Sequence, residues 1–263
     1  MKKFVFILSF LFPVLVFCQQ TKLVASKLSS EFVDADLFIG NDSFDCKYFI
    51  KNNVFFKIKS GEIFQYKNIS LGKISRIDFQ NPLKIVLFYE NFNTVILLDN
   101  QLNEIQKINF SENEKNIAVT AVGISAQNNL WVFNLTNQQI GLYDYLKNKH
   151  KDVSSPISGM IKQYQTNFNT FYWIDERNYY YSCDVFGKTI ALGKLPAFDS
   201  IQLVSNLFVV FKKNDLLYYY SINSDKPTVI DLDKKTYKNF YYKDQNLAIF
   251  TSEGITNYKI NLP

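Results

Sequence analysis

An asparagine followed by four or five mostly apolar residues recurs along this chain at Asn53, Asn93, Asn129, Asn169, Asn206 and Asn246. The segments read NVFFKI, NTVILLD, NLWVFN, NTFYWID, NLFVVF and NLAIFT, and successive anchors lie 40, 36, 40, 37 and 40 residues apart. A period of this size marks a repeat architecture, in which each unit buries its faces only by stacking on its neighbours. A β-sandwich whose spacing is fortuitous would not hold its anchors within four residues of one period across the chain.

Each apolar run is followed by a polar turn (KSGE, DNQLNE, LTNQQ, DERN, KKND, TSEG) and then by a second strand-like run such as EIFQYK, QIGLYDY or LLYYYSI. Short strands such as CKYFIK, KIVLFYE, AVGIS and SIQLV precede most anchors. No segment sustains a 3.6-residue apolar period, and 25 Phe with 17 Tyr favour strands. The unit predicted is strand, Asn turn, buried strand, polar turn, strand and a variable outer segment. Units of about 40 residues are those of propeller blades. The expected fold is therefore all-β: a six-bladed β-propeller of four-stranded antiparallel blades. The last unit stops after its third strand, and Lys22 to Phe32 is expected to close the ring as the missing outer strand. At this point the chain resembles six-bladed propellers of the YWTD, NHL and TolB kind, and Tyr172-Trp173-Ile174-Asp175 is similar to one YWTD element. The other units lack that element.

The first residues read as an export signal. Lys2 and Lys3 precede an almost wholly apolar run from Phe4 to Cys18, too short to span a bilayer, and then Gln19-Gln20. Cleavage after Cys18 is favoured over lipidation of Cys18, because the bulky Phe17 precedes it. Residues 1–18 are then a signal peptide and 19–263 a single propeller domain. The ending resembles signal peptides of Bacteroidota, and the expected address is the periplasm or an outer-membrane-associated position. Loss of the two lysines lowers the formal charge from +5 to +3. With no Lys/Arg cluster, neither nucleic acid nor an anionic membrane is implied. No later run is long enough to cross a membrane.

Candidate chemistry is sparse. Nothing has zinc-ligand spacing, and Asp34, Asp36, Asn41, Asp42 and Asp45 lack the EF-hand pattern and read as a solvated loop. No cofactor or metal is expected. The single histidine, His150, falls in the hydrophilic loop Lys147 to Met160 and reads as an exposed surface residue. Asp99, Asp175, Glu176, Asp231 and Asp233 could serve a glycosidase but read as turn and rim charges. Cys46 and Cys183 fall in the first and fourth units, across the ring, and are expected to be buried free thiols. The loop Lys147 to Met160, the longest polar interruption, reads as an inter-blade connection. The runs Tyr179-Tyr180-Tyr181 and Tyr218-Tyr219-Tyr220 fall on corresponding third strands of neighbouring units. Alternation sends Tyr179 and Tyr181, and Tyr218 and Tyr220, to one face of each strand. These four are the candidate interaction surface, for a protein or glycan partner.

The function expected is a non-enzymatic interaction or scaffold module of the cell envelope. By resemblance it is similar to the propeller (PorD-type) component of the type IX secretion translocon. That resemblance implies an outer-membrane translocon and its lipoproteins as partners. The alternatives are a propeller glycosidase or lactonase using rim carboxylates, and a glycan-binding lectin. A closed channel favours the scaffold; an open funnel with converging acids favours the enzyme.

Overall fold

The computed structural model describes residues 22–112, 117–233 and 236–261. The proposed signal peptide lies outside them. The described chain forms six sheets arranged as blades around an axis, with one 3-10 turn at Glu90–Phe92. Blade one comprises Leu37–Asn41, Lys47–Lys51, Val54–Lys59 and Glu62–Tyr66. Blade two comprises Arg76–Asp78, Ile85–Tyr89, Thr94–Leu98 and Glu104–Asn109, and blade three Val119–Ile124, Asn129–Asn134, Gln139–Asp144 and Lys149–Asp152. Blade four comprises Ile161–Thr166, Thr170–Asp175, Tyr179–Asp184 and Thr189–Lys194. Blade five comprises Ser200–Leu203, Phe208–Lys213, Leu216–Ser221 and Thr228–Asp231. Blade six takes three strands from the C-terminal part (Asn239–Lys243, Asn246–Thr251, Gly254–Lys259) and its outer strand, Ser26–Glu31, from the N-terminal part.

The closing strand pairs antiparallel, with Ser26 opposite Lys259 and Glu31 opposite Ile255. Gly254 allows this approach, because a Cβ there would stand 2.1 Å from the Glu31 carbonyl oxygen. The clasp is wider than the sequence predicted. Leu23–Val24 also adds a short parallel strand to blade five, opposite Ile230 and Asp231. One segment therefore ties blades five and six together and covers a sheet edge in each.

The alternating pleat makes both faces of each blade apolar, and the core lies between blades. Six buried clusters result, one in each gap between neighbours. This is why the repeat is visible in the sequence: every unit must supply apolar residues to two gaps.

The phase of the repeat differs from expectation in two blades. Asn129, Asn169, Asn206 and Asn246 precede second strands, but Asn53 and Asn93 precede third strands. Asn53 and Asn93 are left-handed, at φ 58° and 49°, and they hold corresponding places. The Asn53 amide donates to Gly72 O at 2.6 Å and accepts from Ile74 N at 3.2 Å, bracing the turn against the connection to blade two. Asn93 does the same for blade three, donating to Ile117 O at 2.7 Å and accepting from Val119 N at 3.0 Å. Asn129 instead bonds within its own turn, to Ala126 O and Gln127 O. A tight turn into a buried strand selects asparagine wherever it falls in the blade. The spacing of 36 residues between Asn93 and Asn129 hides the change of phase.

Candidate functional site

Antiparallel pairing fixes two faces of the ring. The innermost strands all begin on one, here the leading face, where the turns between second and third strands and the blade-to-blade connections also lie. The trailing face carries the remaining turns. Two features lie along the innermost strands: a dry stretch of the inner wall and a cavity opening on the leading face.

The dry stretch is built around Asp78 of blade two. Its Oδ2 accepts from Ile124 N at 2.8 Å in blade three and from Thr166 Oγ1 at 3.1 Å in blade four. Its Oδ1 accepts from Gln80 N at 3.0 Å, and the Gln80 amide also donates to Thr166 O. Blade three makes room for this meeting at Gly123, where a Cβ would stand 1.9 Å from Thr166 Oγ1. On the opposite wall, Phe79 and Tyr241 meet over Gly40, with ring centroids 5.7 Å apart. Gly40 has φ +149°, and a Cβ there would stand 2.8 Å from both rings. Gln202 of blade five exchanges two hydrogen bonds with the Tyr242 backbone of blade six, at 2.6 and 2.7 Å. An open channel would wet these side chains, yet Asp78, Phe79 and Thr166 are 8%, 9% and 4% exposed. Blades two to four thus form a dry stretch of the inner wall at this level.

The cavity lies toward the leading face between blades two, three and four, with a volume of about 450 Å³. That size falls within the range of small-ligand sites. Phe88, Ala121, Phe133 and Leu135 supply apolar walls, and Arg76, Glu90, Thr120 and Gln163 supply polar groups. The Arg76 guanidinium carbon lies over the Tyr164 ring, 4.7 Å from its centroid. The far face of that ring lies on Phe171, with centroids 5.6 Å apart and planes 8° from parallel. The Tyr164 hydroxyl accepts from Val122 N at 3.1 Å and donates to Val122 O at 3.3 Å. Burial pushes the phenol up, and the Arg76 charge only partly offsets that. Burial also raises the Glu90 carboxyl above its ordinary range.

The predicted tyrosines are distributed differently. Tyr179 is 40% exposed, with the Lys194 ammonium 5.6 Å from its ring. Tyr181 stacks on Trp173 at 5.1 Å in the gap between blades three and four. Tyr218 stacks on Phe211 at 5.1 Å, and it and Tyr220 pack into the gap between blades four and five. The four rings thus fall on opposite sides of blade four.

Other sequence expectations change in detail. Lys147 to Met160 is not one loop, because Lys149–Asp152 forms the outer strand of blade three. His150 stands on that strand with its side chain 6% exposed, 3.4 Å from Asp152 Oδ1. Its ring lies over Gly141, where a Cβ would stand 2.3 Å from Nε2. Asp42 is buried rather than solvated, and it accepts from Phe44 N, Cys46 N and Tyr48 Oη at 2.7–3.0 Å. Burial alone would raise its carboxyl, but these donors outweigh burial and hold it below the usual range. Asp99 and Asp175 each accept backbone N–H bonds within their own turns, Asp231 pairs with Lys22 at 3.7 Å, and Tyr258 donates to Asp233. Cys46 and Cys183 are buried free thiols in blades one and four. Among the described residues, no three His, Cys, Asp or Glu side chains group as a metal site. Sequence reasoning missed Arg76, Asp78 and Tyr164; the one usable signal was Gly123, a lone glycine within an apolar strand.

No protein-family model matches the sequence, and neither does any curated protein. Solved structures match across most of the chain. Virginiamycin B lyase from Staphylococcus aureus aligns with TM-score 0.58 and 13% identity over 85% of this chain and 79% of its own. A catalytically inactive form of that lyase, with one histidine replaced by alanine, aligns with TM-score 0.55 and 12% identity over 86% and 80%. A luciferin-regenerating enzyme aligns with TM-score 0.51 and 12% identity over 90% and 95%. The Cps50 (Swd1) β-propeller domain of Myceliophteria thermophila aligns with TM-score 0.56 and 9% identity over 90% and 100%. At such identities the likeness establishes the six-bladed propeller fold and no activity.

Proposed function

We propose that this protein is an exported, non-enzymatic interaction module of the cell envelope. The observation that carries this reading is the dry, hydrogen-bonded inner wall. Its buried carboxylate, Asp78, is committed to hydrogen bonds from blades two, three and four. The place where a propeller hydrolase would gather acids around a funnel is used for cohesion. Export rests on Lys2, Lys3 and the apolar run to Cys18. The partners implied by the sequence resemblance are an outer-membrane translocon of the type IX kind and its lipoproteins. The exposed Tyr179 is the candidate contact of the tyrosine set.

Affinity purification of the tagged protein from cross-linked native envelope tests this. Stoichiometric recovery with an outer-membrane protein, reduced by Tyr179→Ala, is the expected result. Recovery of the protein alone, with turnover of a sugar or lactone panel, overturns it.

The second reading is an enzyme, favoured by the cavity on the leading face and by the enzymes among its fold neighbours. A mechanism resting on histidine, as the inactive lyase variant suggests for that protein, does not transfer readily. The single histidine here sits in an outer strand, away from the cavity lining. Turnover abolished by Glu90→Gln would support the enzyme.

A further inference from the structure

We propose that the leading-face cavity binds organic carboxylates with an apolar body, the carboxylate seating on Arg76 and the body against Phe133, Leu135 and Met160. This inference is independent of the function proposed above.

Arg76 carries the argument. Its guanidinium donates no hydrogen bond and forms no ion pair among the described residues, although it lines the cavity and is half-buried. Partly desolvated cations in folded proteins ordinarily acquire a carboxylate partner. Here the cation is oriented but unused. The guanidinium carbon lies over the Tyr164 ring, which packs on Phe171 and is fixed at its hydroxyl by both polar groups of Val122. That contact anchors the guanidinium at the cavity wall and leaves its N–H donors unused, and paired donors of this kind match the two oxygens of a carboxylate. Lys162, the other cation of the lining, is already engaged, donating to Asn178 Oδ1 at 2.8 Å and lying 4.3 Å from the Phe198 ring.

The apolar half of the site is equally defined. Phe133 is buried in the wall, whereas Leu135 and Met160 are 50% and 66% exposed at the cavity. These large apolar side chains gain burial when an apolar body lies between them and the wall. Thr120 and Gln163 lie alongside as hydrogen-bonding groups, and they suit a polar link between body and carboxylate. Two sources share this chemistry: a free small acid, and the C-terminus of a protein chain ending in an apolar residue.

Ligand-observed NMR and calorimetry on the full mature chain test the proposal, with three probe pairs. These are hexanoate and hexanamide, phenylpropionate and its amide, and a tetrapeptide ending in leucine as free acid and as C-terminal amide. The acids should bind at least about tenfold more tightly than their amides, the worth of one charge-assisted pair. Arg76→Gln should bring each acid to the level of its amide, and Arg76→Lys should fall between. A free-acid peptide that binds more tightly than both small acids assigns the site to chain termini; the reverse order assigns it to small molecules, and the carboxylate rule stands in either case. Equal binding of acids and amides, no binding of any probe, or an unchanged preference in Arg76→Gln would overturn it. The comparison of acids with amides uses the unaltered protein, so it holds even if the substitution harms folding.

Discussion

Arg76 and Asp78 stand two residues apart on the innermost strand of blade two, so alternation directs both to the same side of the sheet. Their fates differ completely. Asp78 is buried, and each of its oxygens accepts from a neighbouring strand or turn. Arg76, nearer the leading face, touches an aromatic face and nothing that would neutralise it among the described residues. The strand passes from a cavity into a sealed stretch within a few ångströms. A charge spent on cohesion and a charge left available can thus be neighbours in sequence, and only their hydrogen bonds distinguish them.

Removing Asp78 should break the sealed side most severely. Asp78→Ala leaves the Ile124 N–H and the Thr166 hydroxyl without their acceptor in a dry place. At about 1–3 kcal/mol for each buried group left unsatisfied, a loss of roughly 3 kcal/mol is expected. In a chain of this size that corresponds to about 10 °C in the thermal midpoint by circular dichroism. A loss under about 1 kcal/mol would mean that water reaches these groups and that this wall is wet.

Gly123→Ala tests the same region through volume. The new methyl would stand 1.9 Å from Thr166 Oγ1 and 2.9 Å from Asp78 Oδ2, so Thr166 must turn away or the strand must shift. Overpacking of this kind costs about 1–3 kcal/mol, readable in a urea titration. An unchanged midpoint would show that Thr166 has somewhere else to go.

The legibility of these features follows the same division. Six units were readable because each gap between blades needs apolar residues from both neighbours, which stamps a period on the chain. Closure by Ser26–Glu31 was readable because the last unit lacked a strand. The phase in blades one and two was not, since an asparagine before an apolar run reads the same whether it turns left-handed at one corner, as Asn53 and Asn93 do, or sits at the other corner, as the remaining anchors do. Tyr180 and Tyr181 illustrate a second limit. Alternation correctly separates them, but whether a ring fills a gap or meets solvent depends on the next blade. Arg76 carried no signal at all. It is one of 29 basic residues, and the Tyr164 ring that orients it lies two blades further on.

Asp42 extends the comparison to pH. Its carboxylate is held below the ordinary value of 3.8 because the Tyr48 hydroxyl and two backbone N–H groups outweigh its burial. The stabilisation is therefore complete above the ordinary value and is lost as pH falls through the lower, folded-state one. Asp42→Asn should melt below the wild type at pH 7, and the two midpoints should converge in strong acid. A constant gap across pH would place the effect in packing rather than charge.

Arg76→Gln belongs near the bottom of the scale. The substitution removes a cation–ring contact at a half-buried site, worth about 1 kcal/mol, and strands no partner. Thermal melts should show a midpoint within a few degrees of the wild type. A loss as large as that of Asp78→Ala would make Arg76 a structural cation and erase the contrast between the two positions.

Glu90, on the cavity lining, should respond least and in the opposite direction. Partial desolvation at the cavity edge is the cause of its shift, and it raises the carboxyl above 4.5. Ionisation is then slightly disfavoured by folding. That cost is absent below the ordinary value and is fully present once pH rises past the folded-state one. Glu90→Gln should therefore raise the midpoint by a small margin at pH 7, and the margin should vanish toward pH 4. Differential scanning calorimetry at the two pH values resolves this. A variant less stable than the wild type at pH 7 would make Glu90 a committed carboxylate like Asp42. The cavity would then hold one uncommitted charge rather than two, and its mouth would be braced rather than open to a ligand.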